Sequence, residues 1–255
     1  MKTIAIANQK GGCGKTATAA HLGVALARRG MRTLLVDMDA QGHLAEVLGQ
    51  STADLKRDIS EVIDNRATLQ EVMISLAENL DLVPATIRLS YVEAHLWTKL
   101  RREDRLRSAL ETVAERYDVA IVDTPPSLGL LTVNALAAAD AVLVPMSCDY
   151  LSLLGVGLLL TTIEEMRREI RHELAILGVL PTRYAHTVNA REVMERARAE
   201  LGNTAGLHIY EPIPETVRMR EAAGAGVTIY DHAPDSPASV AYLKLAEEVA
   251  SAIIA

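Results

Sequence analysis

The sequence predicts an α/β fold with a doubly wound, mostly parallel β-sheet and helices on both faces. Short aliphatic runs alternate with helix-length segments along nearly the whole chain, which is typical of buried parallel strands joined by crossover helices. The strands are expected at residues 3–7, 33–36, 80–83, 119–122, 141–145, 176–180 and 207–210. The helices are expected at residues 15–29, 102–117, 151–171, 191–201 and 238–254.

The chain is expected to form one domain covering residues 1–255. Its length and its 49% hydrophobic content suit one sheet covered on two faces. Residues 50 to about 100 have the least regular pattern, and we interpret them as a helical insertion over one edge of the sheet. Because a glycine-rich loop already begins at Lys10, no N-terminal DNA-binding domain is expected.

Composition narrows the class of protein. Cys13 and Cys148 lie far apart without metal-ligand spacing, and no apolar run is long enough to span a bilayer, so a cytoplasmic location is expected. With a net charge of -7 and 3% aromatic residues, a base-stacking surface is disfavoured. A local basic face can still contact DNA phosphates on an acidic chain.

A glycine-rich loop follows the first predicted strand. Gly11, Gly12 and Gly14 precede Lys15 and Thr16, which matches only the later part of the G-x-x-x-x-G-K-[ST] pattern. Glycines allow successive backbone N–H groups to turn towards a phosphate, and the following helix adds its positive N-terminal end. A lysine supplies charge and a threonine hydroxyl can bind Mg²⁺. The loop therefore predicts a phosphate site.

Acidic residues follow two more predicted strands. Asp37 and Asp39 end the segment LLVDMD, and Asp123 ends the segment AIVD. Because the carboxyl ends of parallel strands meet at one edge of a sheet, we expect these acids to lie beside the glycine loop. Surface acids at a strand end are often only solvated, but beside phosphates they can hold Mg²⁺ or water.

The string KGGCGKT at 10–16 resembles the deviant Walker A motif of the ParA/MinD ATPases. The resemblance implies a P-loop NTPase fold, ATP and Mg²⁺ as cofactors, and an ATP-dependent sandwich homodimer in which Lys10 reaches the partner's phosphates. A solvated lysine is the alternative that the residue pattern leaves open. The motif assigns nucleotide contacts to Gly11, Gly12, Cys13, Gly14, Lys15, Thr16 and Ala17.

The family's D-x-D-P-Q-G-N string stands here as DMDAQGH, with Ala40 in place of Pro and His43 in place of Asn. The resemblance implies that Asp39 orients the attacking water and that Asp37 supports the magnesium site. Hydrolysis of ATP to ADP and phosphate is expected to be slow until a partner completes the site. The expected catalytic residues are Lys10, Lys15 and Asp39. The expected Mg²⁺ and nucleotide contacts from these loops are Thr16, Asp37 and Asp123.

Further strings resemble the chromosomal ParA, or Soj, branch of the family. They are GVLPTRY at 178–184, IPETVR at 213–218, HAPDSP at 232–237 and AYLKLAEEV at 241–249. The resemblance implies that adenine is surrounded by Thr182, Arg183, Pro212, Ile213 and Pro214. On the residues alone, plain turns between strand and helix are the alternative that stays open for each of these residues.

Soj-type dimers bind DNA without sequence preference through surface cations, so the resemblance implies nonspecific double-stranded DNA as a partner. Arg218 in the IPETVR string is the first candidate contact, followed by Arg183, Arg191 and Arg220. Glu215 stands where the family often has Arg, and this substitution works against strong DNA affinity. Lone arginines are also typical of solvated helix faces.

The resemblance predicts a nucleoid-associated ATPase that partitions a chromosome or plasmid, or positions a protein cargo. A ParB-like or cargo-adaptor protein would stimulate hydrolysis and so release the dimer from DNA.

Two alternatives remain. A MinD-like membrane role is disfavoured because residues 240–255 lack the basic face of an interfacial anchor, so no stable membrane anchor is expected. The other alternative is a metabolic P-loop enzyme related to dethiobiotin synthetase or nitrogenase reductase. The reductase needs cluster-binding cysteines, and Cys13 and Cys148 do not form such a set.

Overall fold

The computed structural model describes residues 1–53, 55–170, 173–204 and 206–254. The strands are β1 (Lys2–Ile6), β2 (Thr33–Asp37), β3 (Ile74–Ala77), β4 (Leu80–Val83), β5 (Val119–Asp123), β6 (Ala141–Ser147) and β7 (Ala175–Thr182). They form a seven-stranded sheet in the order β3-β4-β2-β5-β1-β6-β7. Every strand pairing is parallel except that of the edge strand β3 with β4. The predicted fold class is confirmed.

Helices cover both faces of this sheet. They are α1 (Lys15–Arg28), α2 (His43–Val47), α3 (Ile59–Ile63), α4 (Leu69–Val72), α5 (Arg88–Leu96), α6 (Arg105–Glu111), α7 (Leu130–Ala138), α8 (Tyr150–Ile170), α9 (Val188–Ala197), α10 (Val217–Gly224), α11 (Ile229–His232) and α12 (Pro237–Ile254). A π-helical turn at Arg198–Thr204 continues α9. Within the described ranges, no helix is both long and apolar enough to cross a membrane.

The core lies on both sides of the sheet because alternate strand residues face opposite ways. In β1, Ile4 and Ile6 pack with Leu22 of α1, while Ala5 packs on the other face with Leu136 of α7. All five side chains are fully buried, and each large aliphatic group contributes roughly 2 kcal/mol by leaving water. Helices α1, α2, α11 and α12 cover the first face, and α3 to α9 cover the second.

The strand predicted at 207–210 is wrong. Only Ile209 forms a parallel bridge, with Val179 of β7. Backbone hydrogen bonds join Val179 to His208 and Tyr210 at 2.8 and 3.0 Å. A regular ladder does not develop, because Pro181 of β7 and Pro212 in the approaching segment have no N–H to donate.

The segment from 50 to about 100 is not purely helical. It contains α3, α4 and α5, but also the antiparallel pair β3 and β4 at the sheet edge. The strand predicted at 80–83 is confirmed, and β3 was missed because its four residues alternate between exposed and half-buried positions. The turn between the two strands passes through Asn79, whose φ is 61°, a left-handed conformation that asparagine tolerates.

The predicted helix at 102–117 is shorter in the structure, where only Arg105–Glu111 is helical. The side chain of Asn134 in α7 accepts a hydrogen bond from Leu106 N at 3.3 Å and donates one to Arg102 O at 2.7 Å. A long-range contact of this kind, which a local pattern does not contain, sets the start of α6.

His21 joins α1 to the C-terminal helices. It is buried, its Nδ1 donates to Ala17 O at 2.7 Å, and its Nε2 accepts from Ile229 N at 3.1 Å. The ring also stacks on Tyr242, with 5.1 Å between centroids. Burial lowers the pKa of His21 to about 4, because the charged ring would lose its hydration. The neutral ring is therefore part of the folded structure.

His21 should make the fold sensitive to acid. Its pKa in the folded protein, about 4, lies below the ordinary value of 6.5, so its stabilisation is complete above pH 6.5 and is lost as the pH falls towards 4. Between these pH values we expect the wild type to lose roughly 3 kcal/mol more than His21→Asn in urea unfolding. The control variant His186→Asn, at an exposed histidine, should show the same change of unfolding free energy with pH as the wild type. Equal slopes in the wild type and H21N would contradict this account.

Candidate functional site

The glycine loop connects the end of β1 to the start of α1. Gly12 and Gly14 have φ values of 73° and 84°, in the left-handed region that glycine adopts without strain. Gly14 caps α1, and no side chain hydrogen bonds to the first turn at this cap. The first N–H groups of α1 therefore remain available to an anion, as the phosphate-site prediction requires.

Side chains fold back onto this loop. Lys15 is buried, with its Nζ 3.1 Å from Lys10 O, and the Cys13 thiol is 3.2 Å from the same carbonyl oxygen. Thr182, at the end of β7, donates to Cys13 O at 2.8 Å. Burial raises the pKa of the Cys13 thiol, so Cys13 fills space as an unreactive thiol. The ammonium of Lys15 lies at the loop where a phosphate would need it.

Asp37 and Asp123 end neighbouring strands in the same register, and both are fully buried. Asp37 accepts hydrogen bonds from Asp39 N at 2.9 Å and Leu44 N at 3.2 Å, so it shapes the loop after β2. Burial and the nearby Asp123 raise the pKa of Asp37 well above its ordinary value. Asp39 is half-buried, and its own carboxylate accepts from Gln41 N at 3.0 Å.

Asp123 has no such support. No hydrogen bond of good geometry reaches either of its carboxylate oxygens from the described residues. Burial raises the pKa of Asp123, and the nearby Thr16 hydroxyl and Lys15 ammonium only partly oppose this. A buried carboxylate without partners destabilises a fold, and a divalent cation would satisfy it. The oxygens of Thr16 and Asp123 therefore fit Mg²⁺. Asp37 accepts one backbone N–H on each carboxylate oxygen, which leaves lone pairs free, and its contact with Mg²⁺ stays a prediction.

Lys10 has a partner that the sequence did not indicate. Its Nζ lies 2.5 Å from Asp149, just before α8, and Ser152 donates to the same carboxylate from its backbone and hydroxyl at 3.0 Å. Burial raises the pKa of Asp149, but these hydrogen bonds outweigh it and leave the pKa below its ordinary value. Asp149 lies 139 residues from Lys10, so only the fold reveals the pair.

A pocket of about 320 Å³ opens beside the phosphate loop. Gly14 and Ala17 form its inner end, and Tyr242 of α12 also contributes. The lining includes four of the five residues assigned to adenine, namely Thr182, Arg183, Ile213 and Pro214. Pro212 is not part of this lining. The size and the largely apolar walls suit a planar base, and the individual contacts remain predictions.

The arginines assigned to DNA are exposed, but three of them share two carboxylates, which offset part of their charge. Glu215 lies 3.3 Å from Arg183 and 3.5 Å from Arg220, and Glu221 lies 2.9 Å from Arg218. Arg191, on α9, approaches only the backbone oxygen of Thr187, at 3.5 Å. Arg183 also reaches Gly12 O at 3.4 Å, which places it at the phosphate loop. These arginines therefore form no continuous basic face in the described structure.

The chain is similar to known proteins in sequence and in fold. A family model described as an AAA domain matches residues 1–176. The sporulation initiation inhibitor protein Soj of Bacillus subtilis is 41% identical over 98% of both chains. The chromosome partitioning protein ParA of Caulobacter vibrioides is 40% identical, over 98% of this chain and 94% of its own. A Mycobacterium smegmatis structure described as cobyrinic acid a,c-diamide synthase with an ATP analogue and magnesium is 35% identical, with a TM-score of 0.83, over 97% of this chain and 93% of that one.

The parallel sheet, the left-handed glycines and the buried strand-end carboxylates define a P-loop nucleotide-binding protein. Lys10 at the head of the loop and the relatives across nearly the whole chain narrow the class further. The chain belongs to the ParA/MinD family of deviant Walker A ATPases, on its ParA/Soj branch.

The unpartnered Asp123 should oppose folding when no Mg²⁺ or nucleotide is present. Its raised pKa means that the folded form loses stability as the pH rises above about 4. We expect Asp123→Asn to raise the unfolding free energy at neutral pH by about 2 kcal/mol, or the midpoint by roughly 5 °C, in differential scanning fluorimetry. This gain should disappear near pH 4. The same variant should lose the thermal shift that Mg²⁺ with ADP gives the wild type.

The matched control is Asp235→Asn, at an exposed aspartate, which should change neither quantity. A D123N variant that is less stable than the wild type at neutral pH without ligands would contradict the assignment of Asp123 as an unsatisfied carboxylate.

Proposed function

We propose that the chain hydrolyses ATP to ADP and phosphate and uses this cycle to partition DNA or to position a cargo over it. The observation that carries the proposal is the unpartnered Asp123 carboxylate beside a glycine loop with uncapped amides. Together they offer a cation site and an anion site at one edge of the sheet, which is what a magnesium nucleotide requires. The names of the Soj and ParA relatives support the partition role.

The loop would bind the phosphates. Backbone N–H groups of residues 11–16 and the N-terminal end of α1 would face the phosphate oxygens. Lys15 would leave the carbonyl oxygen of Lys10 and balance their charge. Thr16 and Asp123 would hold Mg²⁺, which supplies charge neutralisation at the phosphates.

The carboxylates after β2 would arrange the attacking water. Asp37 holds the loop through its hydrogen bonds from Asp39 N and Leu44 N. This leaves the side chain of Asp39 at the loop surface, where it would orient a water for phosphoryl transfer. We propose slow hydrolysis until a partner protein completes this arrangement.

Lys10 would act between two copies of the chain. Its side chain is 33% exposed and its ion pair with Asp149 is open to solvent, so separating the pair costs little. On binding ATP, two copies would face each other and each Lys10 would contact the other copy's phosphates. The dimer would then bind nonspecific DNA over the nucleoid until a ParB-like or cargo-adaptor protein stimulates hydrolysis.

The metabolic alternative has one specific observation in its favour, the synthase description of the Mycobacterium smegmatis structure. That structure is 35% identical to this chain, less than the 41% of the Soj protein. A synthase would also need a site for a second substrate. The pocket beside the phosphate loop, at about 320 Å³, has the size for one base and would be taken by the nucleotide under this proposal.

DNA binding by the purified protein tests the proposed function. In fluorescence anisotropy with a duplex of arbitrary sequence, we expect binding with ATP or a slowly hydrolysed analogue and little binding with ADP. Because phosphate contacts release counterions, affinity should fall steeply with added salt. Lys15→Ala should not respond to ATP. Analogue-driven dimers that ignore DNA would redirect the proposal to a protein-scaffold or membrane role.

Charge reversal locates the DNA face. Arg218→Glu should weaken analogue-dependent DNA binding about tenfold or more while leaving ATP affinity unchanged, since Arg218 is exposed and lies outside the pocket lining. The matched control is Arg116→Glu. Arg116 lies just before the start of β5, whereas the nucleotide loops follow the carboxyl ends of the strands. Equal losses in R218E and R116E would mean that only net charge matters.

The ion pair of Lys10 should restrain dimerisation. Asp149→Asn keeps the shape of the side chain but removes the charge that holds Lys10, so the analogue-bound protein should dimerise a few-fold more tightly, about fivefold at most. Sedimentation equilibrium measures this change, with Asp235→Asn as the control. Adding Lys10→Ala to D149N should abolish the gain, and an unchanged dimer constant in D149N would refute the restraint.

A further inference from the structure

The turn between α5 and α6 exposes large apolar side chains. Trp97, the single tryptophan of the chain, is 58% exposed, and Leu100 is 89% exposed. Tyr91 on α5 and Ile87, just before α5, are also largely exposed. These residues lie on the face of the sheet covered by α3 to α9, whereas Arg218 and Arg220 belong to α10, which packs with α2 and α11 on the opposite face. The exposed apolar turn is therefore separate from the site described above.

The same turn is positively charged on an acidic protein. Residues 95–107 contain five Lys or Arg and two Asp or Glu, against a net charge of -7 for the chain. We call residues 97–105 the basic turn. Among the described residues, no carboxylate lies within ion-pair distance of Lys99, Arg102 or Arg105.

The hydrogen bonds of the basic turn leave this positive charge in place. Arg102 donates to Trp97 O at 2.7 Å and stacks over the Trp97 ring, with 5.6 Å from guanidinium carbon to ring centroid. Arg105 donates to Leu100 O at 3.1 Å. These contacts fix the two guanidinium groups beside the exposed apolar residues without neutralising them. Positive charge and apolar surface are thus held together on one projection.

A groove of about 500 Å³ lies beside α5, but its charges are largely satisfied. Arg88 is 3.0 Å from the buried Asp58, and Arg66 is 2.8 Å from Asp64. An acidic peptide would gain little from arginines that already have carboxylate partners. Lys99 also lines this groove. Arg102 and Arg105 lie outside the groove lining, in the turn that contains Leu100, a residue almost entirely in solvent. This placement favours an extended anionic surface as the ligand.

We propose that the basic turn is a reversible contact site for an anionic lipid surface. Such a surface accepts both components of the turn, because cations attract the headgroups while Trp and Leu enter the boundary between headgroups and acyl chains. A DNA backbone would attract the cations but offers no comparable environment for Leu100. The contact differs from a stable anchor, because only two apolar side chains and three cations take part.

A single basic turn would bind the lipid surface weakly. In a dimer whose two basic turns face the same surface, binding by the second turn becomes intramolecular, so the apparent affinity for lipid rises through effective concentration. Lipid contact by the monomer does not depend on ATP-driven dimerisation, so it can be tested independently of the proposed function.

The experiment uses the full chain with vesicles of phosphatidylglycerol mixed into phosphatidylcholine, and with vesicles of phosphatidylcholine alone. Sedimentation measures partitioning, and the emission of Trp97 reports the contact directly because the chain has no other tryptophan. We expect binding and a shift of emission to shorter wavelength only with the anionic vesicles. Both effects should weaken as salt rises.

Two variants and two controls locate the contact. Arg102→Glu and Leu100→Gln should each lower partitioning about tenfold or more. Leu158→Gln, at another exposed leucine, and Arg116→Glu should bind like the wild type. Because Leu100 is almost fully exposed, L100Q keeps the test valid even if R102E fails to fold.

Equal behaviour with anionic and neutral vesicles would overturn the proposal, as would equal losses in variants and controls. If duplex DNA produced the same Trp97 shift with the same sensitivity to R102E and L100Q, the basic turn would instead be a nucleic-acid surface and the lipid assignment would be wrong.

Discussion

The structure depends on a buried carboxylate that receives no hydrogen bond of good geometry from the described residues. Asp123 ends the central strand β5, in register with Asp37 on β2, and both acids are inaccessible to water. Two ionised carboxylates repel each other in such a site, and the Lys15 ammonium and Thr16 hydroxyl only partly offset the cost of their burial. The apolar strands that make the sheet stable therefore also create a site that is electrostatically incomplete, and the loops around it contain the groups that bind anions and cations.

The elements that the sequence predicts well are those determined by neighbouring residues. The glycine loop follows from KGGCGKT, and its left-handed turns need the glycines at 12 and 14. The central strands follow from continuous apolar runs, because residues buried on both faces leave no polar alternation. The meeting of Asp37 and Asp123 follows from the parallel register alone.

Contacts between particular side chains that lie far apart in the sequence were not predicted. Nothing near Lys10 in the sequence indicates Asp149, and nothing in α1 indicates that His21 accepts a hydrogen bond from Ile229. The strand predicted at 207–210 failed because Pro181, on the neighbouring strand, stops the ladder. Glu215 was recognised as a departure from the family, but its position between Arg183 and Arg220 is a result of the fold.

A crystal structure with Mg²⁺ and a slowly hydrolysed ATP analogue tests most directly whether these loops form one nucleotide site. The account predicts the triphosphate on residues 11–16, Mg²⁺ beside Thr16 and Asp123, and the base in the pocket lined by Ile213 and Pro214. It also predicts that Lys15 no longer contacts the carbonyl oxygen of Lys10. A base bound outside this pocket, or a cation that does not approach Asp123, would contradict the account.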